Sequence, residues 1–593
     1  MKKYIIIASS LFFASFAMQS CLDFDDPGTE LGVGSVILDT DRHVGNVDTI
    51  PYLNQPTAEG VDSAITALQN HFGQILTGQY NMRGGKEGGT PAEHAYQRQY
   101  SLGPDLYAQY FTLPHKDFMY GSHTSTYNVS AEFNNNALGA YTMAKNAFMP
   151  LLHHPLVDSI PEIKAITLLY YSVIAQEQAD LSGPYTYLED KQNSETPYEY
   201  NDVKTIYYGI VENLDTIINC LKHYPSRPEW YKGKIKQVLN TYTDTNPWED
   251  GSTLESYVRL ANSLKLRMAM HIVKVEPETA KRWAEEAVAS GVIEDIFQQH
   301  GIYTSSGFAH PLIGICGWGD LCISASLESL LMSLNHPYAQ YLFLKNSNDI
   351  KNARTKEITP AGTRICGIRS GTLVGDGQLY AQNERQAYSK YDTQELSKQQ
   401  PPLYFVKLAE VYFLRAEGAL RGWNMGGTAE DFYKLGIQKA YFEDPSREAR
   451  SKYVRLLDAY MEQENPVEYV SVDPMGNGPD WQSVTKIGVK WNNADDQETK
   501  LEKIITQKYL ALFPLSTEAW AELRRTGYPK LFPVLNTDDG DGSIAQGDMI
   551  RRIPWVPTSP TDIEMVENSG ISALGGPDEQ ATRIWWDIDA PNF

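Results

Sequence analysis

Leu408-Ala-Glu-Val-Tyr-Phe-Leu-Arg-Ala-Glu-Gly-Ala-Leu-Arg421 decides the fold of this chain. From Leu403 onward nearly every position is apolar, while Lys407, Glu410, Glu417 and Arg421 fall on one stripe. Glu417 stands four residues before Arg421, the order that favours an ion pair along a helix. The pattern predicts a helix over 403–421, buried on most sides and stopped by Gly422. A second helix is expected over 428–442, after the turn Asn424-Met-Gly-Gly427.

The same logic repeats outward in both directions. Tyr257, Ala261, Leu264, Met268 and Ile272 form one apolar seam over 253–275. The next helix, 277–290, opens on Pro277 and stops at Gly291, so the two form an antiparallel pair. Further helices are expected over 57–76, 134–149, 161–180, 202–222, 447–463, 499–512 and 518–525. Strand candidates are few and short, 81–127 reads as irregular loop, and 531–593 shows little periodicity. Helix pairs of this size bury their apolar faces only by stacking on one another, so the fold class is mainly α, a tetratricopeptide-like (TPR-like) helix-pair scaffold with long irregular loops.

The chain has 593 residues, 42% of them apolar and 21% charged, an ordinary globular composition. Its formal charge of −23 disfavours phosphate backbones, which excludes nucleic acid as a natural partner, and a neutral ligand fits better. Tyr occurs 37 times and Trp 11 times, many of them in loop-like segments. Gly-x-Ser-x-Gly, His-Glu-x-x-His, phosphate-loop and Gly-x-Gly-x-x-Gly signatures are all absent. Cys220, Cys316, Cys322 and Cys366 lack metal-ligand spacing and read as buried thiols, with one disulfide as the alternative. No cofactor and no metal is expected. Asn536-Thr-Asp-Asp-Gly-Asp-Gly542 looks like a calcium loop, but counting from Asp539 puts Ile544 and Ile550 where Gly and Glu are required, so a surface turn is favoured over a weak calcium site.

The N-terminus adds an address. Lys2 and Lys3 precede the apolar run Tyr4 to Ala17, too short to span a bilayer, and Met18-Gln-Ser-Cys21 resembles a bacterial lipobox in which Cys21 becomes the lipidated first residue. The alternative is a soluble secreted protein. Asp23, Asp25 and Asp26 resemble the acidic export signal of surface lipoproteins in Bacteroidetes, pointing to a lipid-anchored protein on the extracellular side of the outer membrane. Residues 1–20 are therefore assigned as signal peptide, 21–56 as a lipidated tether and 57–593 as the α-helical body.

Three segments together resemble the SusD/RagB family of outer-membrane nutrient-binding lipoproteins. They are Ala261-Asn-Ser-Leu-Lys-Leu-Arg-Met-Ala-Met270, preceded by Trp230-Tyr-Lys-Gly233; Leu408 to Glu417 with Arg421-Gly-Trp-Asn424; and Ile504-Ile-Thr-Gln-Lys-Tyr509 with Glu518-Ala-Trp520, Arg524-Arg-Thr-Gly-Tyr-Pro529 and Arg552-Ile-Pro-Trp555. Gly367-Ile-Arg-Ser-Gly371 and the lack of a Trp-rich early loop suggest a divergent branch. The resemblance implies a lid on a SusC-like TonB-dependent transporter that captures oligosaccharides, or sometimes peptides, without cleaving them. The rival readings are a surface glycoside hydrolase and a scaffold for other envelope proteins.

A sugar packs its C–H face on an aromatic ring while polar groups orient its hydroxyls. The candidate contacts on that basis are Tyr107, Tyr110, Tyr120, His123 and Tyr127 in one loop region and Trp318 in the Gly-rich stretch Gly314 to Asp320, with Asp105, Asp320, Tyr380 and Tyr388 as companions. Arg524 and Arg525 are assigned instead to internal ion pairs with a glutamate such as Glu518 or Glu522.

Overall fold

The computed structural model describes residues 47–78, 86–87, 90–91, 93–114, 127, 139–192, 199–303, 309–337, 339–372, 388–394, 401–440, 456–473, 475–476, 479–537, 540–555, 557 and 559–593. Cys21 and the leader, Tyr120, His123 and Tyr380 lie outside them. The main helices are α1 (Ala58–Leu76), α2 (Gly139–Leu152), α3 (Pro161–Ser182), α4 (Val203–His223), α5 (Glu229–Tyr242), α6 (Glu255–His271), α7 (Pro277–Ser290), α8 (Leu312–Trp318), α9 (Ala325–Ser333), α10 (Leu408–Leu420), α11 (Ala429–Ala440), α12 (Gln497–Leu512), α13 (Ser516–Thr526) and α14 (Pro560–Met565). The helical periodicity in the sequence is thus realised. Of the helix expected over 447–463, residues 456–461 are helical and 447–455 lie outside the described residues.

Helices pack as pairs: α3 on α4, α6 on α7 and α10 on α11, with α12 laid across α10 and α11. This is the TPR-like arrangement, and one continuous apolar core runs through it from Val47 and Ile50, ahead of α1, to Trp586 near the C-terminus. Close approach between α10 and α11 depends on Gly436, where a methyl group would meet the Phe413 ring at 2.6 Å. Asp202 and Asp496 cap α4 and α12 by accepting the amide hydrogens of Thr205 and Thr499. Among the described residues no helix is long and apolar enough to cross a membrane.

Two expectations are corrected. The helix expected from Leu403 begins only at Leu408, because Leu403–Tyr404 pairs antiparallel with Gly301–Ile302. Glycine is required at 301, since a Cβ there would lie 2.4 Å from the Leu403 carbonyl oxygen. The C-terminal stretch is not wholly irregular either: Ser559 caps α14, Pro560 occupies its first turn, and helical structure continues to Leu574. Described strands are all two-residue antiparallel pairs, among them Phe111–Thr112 with Cys322–Ile323. Cys220, Cys316, Cys322 and Cys366 are free buried thiols, and burial pushes Cys316 and Cys366 up to about 12.

Candidate functional site

The residues that carry the sequence motifs converge in the interior, not at a surface. Arg267 on α6 grips Glu410 on α10 with two bonds of 2.6 and 2.8 Å. Arg525 on α13 grips Glu417 on α10 at 2.8 and 2.6 Å and also Glu522 at 2.6 Å, while Arg421 meets Glu417 at 2.9 Å. Lys508 on α12 lies 2.8 Å from Glu518 and 3.2 Å from Glu522. His271 on α6 closes the network, its Nε2 3.2 Å from Glu518 and its Nδ1 3.4 Å from Asp180 on α3. The Trp586 indole donates to the same Asp180 at 2.9 Å. Each charge is buried and each is answered, which is what burial of a charge demands.

Arg525 meets the expectation of an internal ion pair. Arg524 does not: it donates to the carbonyls of Asp180 and Arg551 at 2.8 Å each and lies over the Trp520 ring at 3.9 Å. His271, Glu518 and Glu522 stand within 4.8 Å of one another, a spacing a metal could use. Lys508, Arg267 and Arg525 already supply the cations there, so the donor set is spent on side chains and does not suit a metal.

Most of the described loop aromatics are core residues. Tyr107 packs on Trp520 at 5.1 Å, Tyr110 on Tyr509 at 4.7 Å, and Tyr127 on Tyr107, all of them buried. Asp105 is fully buried, and burial raises its carboxyl to about 6. Tyr388 is buried with its hydroxyl donating to Asp473 at 2.9 Å. These five therefore offer no ring or carboxylate to the surface, against the expectation drawn from their loop position.

Trp318 and Asp320 differ. Trp318 stands at the end of α8, not in a loop, and the helix stops at Gly319, whose φ of 83° is a left-handed turn that glycine tolerates. Its ring is 42% exposed and stacks on exposed His94, centroids 5.0 Å apart and planes 23° from parallel. Asp320 accepts a hydrogen bond from the Gln97 amide at 2.9 Å. Gly314 leaves room for this: a methyl group at that position would lie 2.9 Å from the Glu93 side chain and 3.5 Å from the Trp318 ring, so a larger residue would make Glu93 shift. Close to His94 in sequence, Tyr96 meets His310 edge-on at 6.1 Å, and burial lowers His310 to about 3, so its imidazole is neutral. The result is a flat, solvent-facing aromatic shelf with a carboxylate–amide pair close by in sequence on both of its segments.

His94 and Gln97 were not among the residues singled out from sequence. They lie in a stretch crowded with aromatic and polar residues, and nothing local distinguishes the ring that faces water from those that face the core.

Comparison with known proteins agrees with this architecture. The family model "SusD-like: Susd and RagB outer membrane lipoprotein" matches residues 53–587. Among solved structures, a chitin-binding SusD homologue from Flavobacterium johnsoniae is 30% identical, with a TM-score of 0.70 over 90% of this chain and 100% of that one. A SusD homologue from Bacteroides vulgatus is 26% identical with a TM-score of 0.73, over 90% of this chain and 100% of that one. A third, from Bacteroides thetaiotaomicron, is 25% identical with a TM-score of 0.70, over 89% and 99%. No curated protein matches the chain by sequence. With its motifs assembled into one buried network and its family match spanning nearly the whole helical body, the chain belongs to the SusD-like family of outer membrane lipoproteins.

Proposed function

We propose that this chain captures glycans on the Trp318–His94 shelf and delivers them to a SusC-like TonB-dependent transporter without cleaving them. The observation that carries the reading is the exposed, stacked ring pair, with Asp320 two residues after Trp318 hydrogen-bonded to Gln97. A pyranose lays its C–H face on such a shelf, and the half-buried Asp320 carboxylate, held by buried Gln97, orients its hydroxyls. The 30% identical relative binds chitin, which makes N-acetylglucosamine chains the first ligand to test. Lipidation at Cys21, a tether that ends where Val47 and Ile50 join the core rather than at residue 56, and an outward-facing body complete the proposal. Metabolic palmitate labelling and protease shaving of intact cells test these parts.

Native gels cast with glycol chitin, starch, xylan or mannan test the binding. Retardation by at least one is expected, and W318A should weaken it about thirtyfold, the effect of losing roughly 2 kcal/mol of ring burial. A variant that runs like the intact protein overturns the assignment of the shelf.

One observation favours the hydrolase reading. Glu93, against Gly314 in α8, keeps a buried carboxylate oxygen without a hydrogen-bond partner, an acid beside the shelf that capture alone does not use. Release of reducing ends by the purified protein, lost in E93Q, would establish that reading in place of capture.

A further inference from the structure

The chain carries a second exposed aromatic surface that shares no residue with the Trp318 shelf. In the loop between α5 and α6, the Trp248 ring meets Phe297 edge-on, centroids 5.3 Å apart and planes at 69°. Both stay open to solvent, 39% for Trp248 and 49% for Phe297.

The pair is held rigidly. Asn246, itself buried, accepts the Trp248 amide hydrogen at 3.0 Å and donates to the Phe297 carbonyl at 3.1 Å, so one side chain ties both ring-bearing segments together. The turn of Phe297 is capped from both ends: Asp295 accepts the Phe297 amide at 2.9 Å, and Gln298 accepts the amides of Glu294 and Asp295. Behind Trp248 stands Tyr303 at 5.5 Å, which in turn meets Tyr404 at 6.1 Å. Asp244 in the same loop keeps one carboxylate oxygen buried without a hydrogen-bond partner.

Size and charge limit what this surface fits. Two rings exposed to this degree present roughly 200 Å², well short of the ~800 Å² per partner of a stable protein interface. Exposed Asp295 beside Phe297 disfavours phosphate-bearing surfaces, while Glu294 next to it is answered by Arg259 and Arg415. A sugar ring has an apolar face of the right area and hydroxyls that donate to carboxylates. Rings fixed in advance lose little freedom on binding. We propose that Trp248 and Phe297 form a second glycan contact, taking one or two sugar residues of a polymer.

This rests on the glycan-capture reading, and the test separates the two. In native gels of glycol chitin, starch, xylan and mannan, W318A should keep a residual retardation in the matrix that holds the intact protein. W248A with F297S should remove that residue, and by itself should cut retardation several-fold. W248F should restore it, with circular dichroism confirming that each variant is folded. If W318A abolishes retardation outright while the folded W248A/F297S protein runs like the intact one, the second contact is overturned and the shelf stands. If the intact protein is held by none of the four, both readings fall together.

Discussion

His271 lies fully buried between two carboxylates, with the Tyr207 hydroxyl 2.9 Å from its Nδ1 and Lys508 and Arg267 reaching the same Glu518. Burial alone would strip its proton. Glu518 and Asp180 outweigh that and hold it at about 9, so the imidazolium persists at neutral pH. Because the folded value lies above the unfolded one of 6.5, its contribution is complete below 6.5 and lost as the pH rises through 9. Urea unfolding should therefore show the intact protein weakening between these limits and H271Q weakening less, and equal slopes would place the proton elsewhere. Residue identity was legible here and residue partnership was not. Arg525 pairs with Glu522 three positions away, as its sequence suggests, but its second partner, Glu417, is 108 positions away and only the fold brings it near. The same limit separates Trp318 from Tyr107, two aromatics that the sequence alone reads alike as loop residues, of which one faces water and the other Trp520.

At the scale of elements, packing is set by where side chains are missing as much as by where they are large. Gly436 lets α11 seat against Phe413 of α10, and a methyl group there must displace a ring already wedged in the core. G436A is expected to cost about 1–3 kcal/mol, read as a lower urea midpoint with unchanged slope, and a neutral result would mean that the two helices slide apart freely. Helices were readable because a 3.6-residue period is local information. The strand pair Leu403–Tyr404 with Gly301–Ile302 was not, since two-residue strands carry no period and their pairing joins segments about a hundred residues apart. The start of α14 did leave a trace, Ser559 followed by Pro560, which the surrounding polar sequence obscures.

At the scale of the whole molecule, the main apolar core and one connected network of buried charges span the helix pairs from α3 to α13. No pair can leave without uncovering a buried charge on another, so calorimetry should record one cooperative transition, and two separated peaks would show that the pairs act as independent units. The Trp586–Asp180 bond adds a condition of timing. Its two ends are 406 positions apart, so a growing polypeptide carries Asp180 long before the indole that completes its surroundings has been synthesised. Until then Asp180 has only what Gln176, Tyr207 and His271 offer it, and the last donor to its carboxylate arrives with the final few residues translated.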